Sequence, residues 1–583
     1  LVRLIQSRDL PALLDAKALD KNFLHWAYNA LDSAVTLRIH HQLSELLAKS
    51  EPASRAYSFT RSMQGPALAM MNRGVAIQQK VRADETLRYQ AIRERAQRLL
   101  DTLANAVWGP EHYMVTEKTV ETWTPVGKRG QPLQPRTRVV RTSTPAVRPL
   151  GLNAASSKQV LAFFNIALGL PVMYEIRKTA HGHERTPSAN DKALLSWSKL
   201  LLRGPGIHPR DRSVPAVRLA APFVSLILTI RDADKMLGVL RSPLDPDGRM
   251  RCSYNVAGTE TGRWSSSKNV YGRGTNLQNI TASMRRMFCA DDGYRMISTD
   301  LEQAESRVVA GLIWAATGDD TYWRACESSD LHTQVVMMAY PELAWTSDPQ
   351  SNRAIADQPC PDIPTYTYRD LAKRLGHGTN YWGSAFGIAQ QVGVPVRIVE
   401  GFQRRYFSAF PGLTLWHNSI RDTLRATQYL ITPLSRPRYF FSRPWEDSTL
   451  REAIAFVPQS TVADLLNRVM RATYLSSLTQ PPAERIQLLL QNHDAFVCQA
   501  PLSRPLPSVI DHLNSHFLAT DIPFTRAGVT RTMNIPGEFV TGFNWAYKAG
   551  DNPDGLTKWK GSDTRHRTEA ARTTPADWLS RRL

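Results

Sequence analysis

Residues 295–310 read RMISTDLEQAESRVVA, and the fold of the chain turns on that stretch. A short β-like run, Met296, Ile297 and Ser298, ends at Asp300, and a helical pattern follows. A strand fixes the backbone of its last residue, so a carboxylate there looks into a cleft and is well placed to hold a metal. Residues 486–498, IQLLLQNHDAFVC, supply a second such group: two apolar runs flank a polar turn with His493 and Asp494, the pattern of a β-hairpin with an aspartate at its tip. Two aspartates on neighbouring strands can bind two magnesium ions, one activating an attacking hydroxyl and the other stabilising a leaving oxygen. Taken singly, an aspartate at a strand end is more often a cap or turn residue. The pair therefore gains its force from a third segment.

That segment is YRDLAKRLGHGTNYWGSAFGIA, residues 368–389, in which Arg369, Lys373, His377 and Tyr381 recur at i, i+4 spacing. Each step drifts about 40° around a helix, so the first three share one face. A cationic row ending in heteroaromatic and aromatic rings suits a nucleoside triphosphate, with Arg369 and Lys373 on phosphates, His377 near the sugar and Tyr381 near the base. The competing reading is a solvated basic helix with a buried tyrosine. Gly376 and Gly378 weaken such a helix by about 1 kcal/mol each, so packing or ligand must hold it.

Composition agrees with an anionic partner. The chain has 583 residues, enough for about three to five domains, and its Lys plus Arg exceed Asp plus Glu by 72 to 52. A net charge of +20 should attract polyanions, nucleic acid first among them. Five scattered cysteines form no C-x-x-C pair, which argues against a zinc ribbon or disulfide framework and suits a reducing, cytoplasmic-type compartment. The longest apolar run, Phe223 to Ile230, is far short of the ~20 residues that cross a bilayer, and no secretion signal opens the chain, so no membrane partner is expected. The first residue is Leu1 rather than methionine, which suits a processed product or a fragment.

Apolar spacing predicts helices over 1–50, through Leu24, Ala27, Leu31, Ala34 and Val35, and over 83–108, with Leu87, Ile92, Ala96, Leu99, Leu103 and Val107 as one stripe. Residues 113–149 suit an exposed basic hairpin or loop, and residues 545–583 a loosely ordered basic tail.

The three segments together resemble the family A DNA polymerases, the bacterial DNA polymerase I type. DLEQAESR matches D-x-x-Q-x-E-x-R through Asp300, Gln303, Glu305 and Arg307; the cationic helix matches R-x-x-x-K-x-x-x-[FY]-G-x-x-Y-G through Arg369, Lys373, Gly378 and Tyr381; QNHDA matches Q-x-H-D-E through Gln491, His493 and Asp494. TETGRWSSSKNVYGRGTNLQNI resembles a primer- and template-contacting segment through Arg263, Asn276, Gln278 and Asn279. Asn153, Ser156 and Lys158 fit a thumb-tip signature, and AIAFVPQSTVADLL fits a helix with a minor-groove glutamine, here Gln459, with Arg451 upstream. At the other end, Tyr28 and Asp32 match Y-x-x-x-D, the last motif of a 3′→5′ proofreading exonuclease.

The resemblance implies an α+β right-hand polymerase fold, with an antiparallel palm sheet and helical fingers and thumb, preceded by a partial exonuclease-like helical segment. Its parts would be an exonuclease remnant at 1–55, thumb and start of the polymerase domain at 56–250, palm at 251–335, fingers at 336–445, palm again at 446–545 and a basic tail at 546–583. Asp300, Asp494 and the Leu301 carbonyl would hold two magnesium ions, with manganese as a substitute. Gln303, Glu305, His377, Tyr381, Arg369 and Lys373 would hold a deoxynucleoside triphosphate, with Glu305 occupying the place of a ribose 2′-hydroxyl. Gln491 and His493 would join the residues on primer-template DNA, and partners would include a separate upstream exonuclease segment or replication accessory proteins. This chain departs from the pattern at His377, where the family has Phe or Tyr, at Trp382, where it has Gly, and at Ala495, where it has Glu. Two alternatives stand beside this reading: a phage-type single-subunit RNA polymerase, opposed by Glu305, and an inactive DNA-binding subunit, opposed by the intact carboxylates.

Overall fold

The computed structural model describes residues 21–125, 134, 136–149, 151–179, 182–200, 218–301, 303–327, 330–361 and 363–560. Contacts divide the chain into two units, one holding the described residues up to Ile77 together with those from Leu244 onward, the other spanning Gln78–Pro243.

The first unit is built on a five-stranded antiparallel sheet in the order Gln487–Asn492, Ala495–Pro501, Tyr294–Leu301, Gly537–Gly542, Thr557–Lys558. The central strand, Tyr294–Leu301, buries Arg295, Met296, Ile297 and Thr299. Its register sets Asp300 directly opposite Ala495 on one neighbour and Glu538 on the other. Directly opposite residues share a face, so the sheet gathers carboxylates that the sequence holds far apart. Helices pack around this sheet, among them Ala304–Thr317, Pro411–Thr427 and the 32-residue Asp447–Leu478. The last carries Pro458 in its interior, which removes one backbone hydrogen bond; a wholly buried stretch from Phe456 to Val462, broken only at Gln459, holds the helix across that point.

In the second unit Gln79–Trp108 packs against Ala221–Leu240. Its core centres on Phe163, Phe164, Trp197 and Ile227, with Phe164 stacked on Trp197 at 4.6 Å between centroids. The stripe expected on the long helix is displaced. Ala96, Leu100 and Ala104 are buried, whereas Leu87, Leu99, Leu103 and Val107 are exposed. Two alanines at the seam permit close helix approach and leave the larger side chains outside. Residues 110–123 and 136–149 form one antiparallel hairpin, the element expected between 113 and 149.

Two further expectations are corrected. Of the helix expected over 1–50, residues 1–20 lie outside the described residues and Lys21–Ala48 is helical; on it Ala34 and Val35 of the expected stripe are exposed and Ala27 and Leu31 only half-buried, so the periodicity there builds no core among the described residues. The loose tail does not begin at 546: Thr557 and Lys558 pair with Thr541 and Val540, Leu556 is buried, and the Asn544 and Asn552 amides bond each other at 2.8 and 3.1 Å. Residues 561–583 lie outside the described residues. All five cysteines are buried and none is in a disulfide, and no described helix is long and apolar enough to cross a membrane.

Candidate active site

The hairpin of residues 487–501 turns through His493 and Asp494, with His493 in the left-handed region at φ 54°. That turn sets Asp494 beside the end of the Asp300 strand, and both aspartates line one cleft of about 710 Å³. Burial pushes the Asp300 carboxyl up to about 6, against the Leu301 N–H that it accepts at 2.9 Å, with Asp494 and Glu538 raising it further. Asp494 is also raised, first by burial, although Arg263 donates to its Oδ1 at 3.2 Å and opposes the shift. Asp300 opens onto the cleft and Asp494 is half-buried, and two neighbouring carboxylates that oppose each other's ionisation are a donor set that a cation would suit. Among the described residues no group of three His, Cys, Asp or Glu side chains is placed to hold a metal ion. Oxygen donors from two carboxylates and a carbonyl fit magnesium, which keeps waters and takes its remaining ligands from substrate phosphates.

Across the cleft runs the helix Tyr368–Asn380, started by Thr367, whose side chain accepts from Asp370 N. Arg369, Lys373 and His377 all line the cleft, and Tyr381 sits just beyond the last helical residue. Gly378 is required here for close approach, because a Cβ would meet the Ile388 side chain at 2.8 Å. Lys373 makes no ion pair among the described residues. Arg369 instead grips Asp330 with two bonds, Nε to Oδ2 at 2.9 Å and Nη2 to Oδ1 at 3.1 Å. Burial pushes Asp330 up, but the bonds from Arg369 and Thr333 and the charge of Arg353 outweigh it and hold the group at about 2. His332, the second residue of the helix that Asp330 caps, also lines the cleft; burial and then Arg369, Lys373 and His377 press it down to about 3, so it is a neutral imidazole at pH 7. Asp330, His332 and Glu538 were missed in the sequence, although the N-cap pattern of Asp330 before an apolar run is a local signal that could have found it.

Glu305 is the hub between these two walls. Its carboxylate accepts from the Tyr381 hydroxyl, from Arg263 Nη2 at 2.7 Å, and stands 3.8 Å from His377 Nδ1. Arg263 thereby ties Glu305 to Asp494. Burial and then the Glu305 charge drive the Tyr381 hydroxyl far above its ordinary value, which keeps it a donor. His377 is lowered, by burial first and against the pull of Glu305. Gln303 starts the Ala304–Thr317 helix in the left-handed region, and its buried amide oxygen has no partner among the described residues.

The remaining expected residues divide. Asn276, Gln278 and Gln491 form one network, in which Asn276 Oδ1 accepts from Gln278 N at 3.0 Å and the Gln278 amide donates to Gln491 Oε1. Gln491 also donates to the His493 carbonyl at 2.6 Å, and so joins this network to the Asp494 turn. Asn279 is exposed, and Arg451 lines a second cleft of about 910 Å³ with Lys373, His377 and Tyr381. Gln459 lies on the long Asp447–Leu478 helix. Asn153 and Ser156, in the other unit, are engaged locally: Asn153 accepts from Ala155 N at 3.0 Å and Ser156 caps the helix Ser157–Ala162, which bears Lys158. Tyr28 and Asp32 are both exposed on Lys21–Ala48.

Comparison with known proteins follows the same outline. A family model described as DNA polymerase family A matches residues 210–514. The chain is 31% identical over 309 residues to the thermostable DNA polymerase I of Thermus aquaticus, covering 50% of this chain and 33% of that protein. It is 27% identical over 363 residues to DNA polymerase I of Pseudomonas aeruginosa, covering 60% of this chain and 34% of the relative. The chain thus spans about a third of the length of the curated relatives it matches. A solved structure described as the POL domain of Pol1 from M. smegmatis in complex with DNA primer-template and dNTP superposes with a TM-score of 0.61 at 21% identity, covering 88% of this chain and 75% of that one. At that identity the likeness shows the fold.

Proposed function

The chain belongs to DNA polymerase family A, and from that premise we propose that it adds deoxynucleotides to the 3′ end of a primer under the direction of a template. The observation that carries the proposal is the convergence of Asp300 and Asp494 in one cleft opposite Arg369, Lys373 and His377. The primer 3′-hydroxyl attacks the α-phosphate of the incoming nucleotide, and pyrophosphate leaves.

Asp300, Asp494 and the Leu301 carbonyl are the proposed holders of two magnesium ions, with manganese as a substitute. The chemistry supplied by the ions when bound is a lowered hydroxyl pKa and neutralised phosphate oxygens. Lys373 meets the triphosphate as a point charge, and Arg369 does so through Nη1, the nitrogen outside the two bonds by which Asp330 orients its guanidinium. His332 offers a ring nitrogen toward the phosphates from the same cleft. Glu305 fills the place of a ribose 2′-hydroxyl, and its bonds to Tyr381 and Arg263 keep it from swinging aside. Gln459 would meet the duplex minor groove, with Arg451 upstream of it on the same helix, and Asn276, Gln278, Asn279 and Gln491 would hold primer and template from the segment that the Gln278–Gln491 bond fixes. Tyr28 and Asp32 contribute no proofreading by themselves, because such nucleases need several carboxylates around two metals.

The test is extension of a primed template by the wild-type chain with each of the four dNTPs and each rNTP. Incorporation only of the dNTP complementary to the template is the predicted result. Preferred use of rNTPs would assign the chain to RNA synthesis, and no incorporation of either would defeat the proposal.

A further inference from the structure

Strands Tyr429–Ile431 and Pro437–Tyr439 form a small hairpin at the end of the helix Pro411–Thr427. Phe440 N closes it by donating to Gln428 O at 2.8 Å, after which the chain runs to the helix Asp447–Leu478. On that run Phe441 is 95% exposed and Trp445 67% exposed, whereas Phe440 between them and the hairpin is buried. Two large rings left in water within five residues forgo a substantial apolar gain. Their base is firmly held: Arg436 forks onto Asp464 at 2.7 and 2.9 Å, and Arg438 lies over the Phe440 ring at 4.4 Å.

Arginines flank the rings, together with the acidic pair Glu446 and Asp447 that follows Trp445. Arg443, between them, has a 73% exposed side chain, and its contact with Glu446 is long, at 3.9 Å. Arg451, six residues beyond Trp445, makes no ion pair among the described residues and lines the cleft that holds Lys373, His377 and Tyr381. On the other side, Arg421 of the helix feeding the hairpin lies 5.0 Å over the ring of Trp382, the neighbour of Tyr381. Because the Phe440–Gln428 bond returns the hairpin to the helix end, Phe441 lies within roughly 20 Å of Arg421, about half of it helix. The ring-bearing run is therefore bracketed in the chain by Arg421, at Trp382, and by Arg451, which lines the cleft.

We propose that Phe441 and Trp445 are a base-stacking platform for the unpaired template strand just outside the cleft, with Arg443 and Arg451 on its phosphates. The inference rests on the polymerase reading above and adds to it a binding surface for single-stranded nucleic acid. Unpaired bases present free π-faces to such rings, while bases within a duplex already stack on one another, and flanking arginines favour a polyanion over an apolar protein face.

The experiment measures, by fluorescence anisotropy, the affinity of the whole chain for two primer-templates that share a duplex, one blunt and one with a ten-nucleotide 5′ template overhang. The double variant Phe441→Ala, Trp445→Ala should lose at least about 5-fold on the overhang DNA, the equivalent of one base–aromatic stack of about 1 kcal/mol, and nothing on the blunt DNA. Phe441→Tyr with Trp445→Phe, which keeps both rings, should bind both DNAs as the wild type does. A 2-aminopurine in the overhang should be quenched by the wild type and not by the alanine variant. Equal loss on both DNAs, or loss on neither, would overturn the platform, as would a drop in self-association with DNA affinity intact. Single-nucleotide extension by the wild type, run in parallel, reports on the polymerase reading separately.

Discussion

Replacing Glu305 with alanine removes the one carboxylate that receives both the Tyr381 hydroxyl and Arg263. The Tyr381 hydroxyl is buried, so its donor loses a partner with little water to replace it. A hydrogen bond to a charged group is worth about 1.5–3 kcal/mol, and two are lost, although Arg263 keeps Asp494. Stability should fall by about 2–4 kcal/mol. The same deletion opens the place where a ribose 2′-hydroxyl would sit, and with it goes the cost of pressing that hydroxyl against a desolvated carboxylate, at least about 1.4 kcal/mol or tenfold in selectivity. The assay is single-nucleotide insertion, comparing kcat/KM for CTP and dCTP opposite template G. The wild-type ratio should favour dCTP strongly, and Glu305→Ala should narrow it by tenfold or more, chiefly by improving CTP. Tyr381→Phe, which leaves the carboxylate but frees it to swing, should narrow it by less. A folded, dCTP-competent Glu305→Ala with an unchanged ratio would refute the assignment of this residue to the sugar.

His377→Phe should change the discrimination between dideoxy and deoxy nucleotides, because a polar ring 3.8 Å from Glu305 is exchanged for an apolar one; identical incorporation of chain terminators would remove His377 from sugar selection. Glu538→Gln takes one negative charge from opposite Asp300 and should weaken the apparent magnesium dependence of extension by about tenfold, with an unchanged magnesium titration counting against any role at the cleft. His417 is buried, its Nε2 bonded to Asn380 O at 2.9 Å and its Nδ1 unpartnered among the described residues; burial lowers it to about 4. A folded value below the unfolded 6.5 means that stability is full above pH 6.5 and declines as pH falls toward 4, by about 3 kcal/mol from this group. Urea unfolding from pH 7 to 4 should therefore show a shallower loss in His417→Asn than in the wild type, and parallel curves would exclude the assignment.

Much of the cleft was legible in the sequence because its signals are local. A strand ending at Asp300, a two-residue turn carrying His493 and Asp494, and a cationic row at i, i+4 are each set by periodicities of two or about 3.6 residues. Glu538 was not legible, since only the sheet register brings it opposite Asp300 from more than two hundred residues away. The partnership of Arg369 with Asp330 was hidden for the same reason: pairing across helices leaves no spacing rule in the chain. The helix Gln79–Trp108 misled in a different way. Its bulky leucines suggested a seam, whereas close approach selected Ala96 and Ala104 around Leu100. In Lys21–Ala48 the helical spacing was real, but spacing alone does not say whether anything covers the stripe.

The central claim is that Asp300 and Asp494 act together on one phosphoryl transfer, and single-turnover extension by Asp300→Ala and Asp494→Ala on a primer-template whose affinity is measured in parallel tests it most directly. The account predicts that each substitution slows extension in magnesium by a thousandfold or more, roughly 4 kcal/mol, while duplex affinity changes little. Extension by either variant at the wild-type rate, with DNA binding intact, would contradict it.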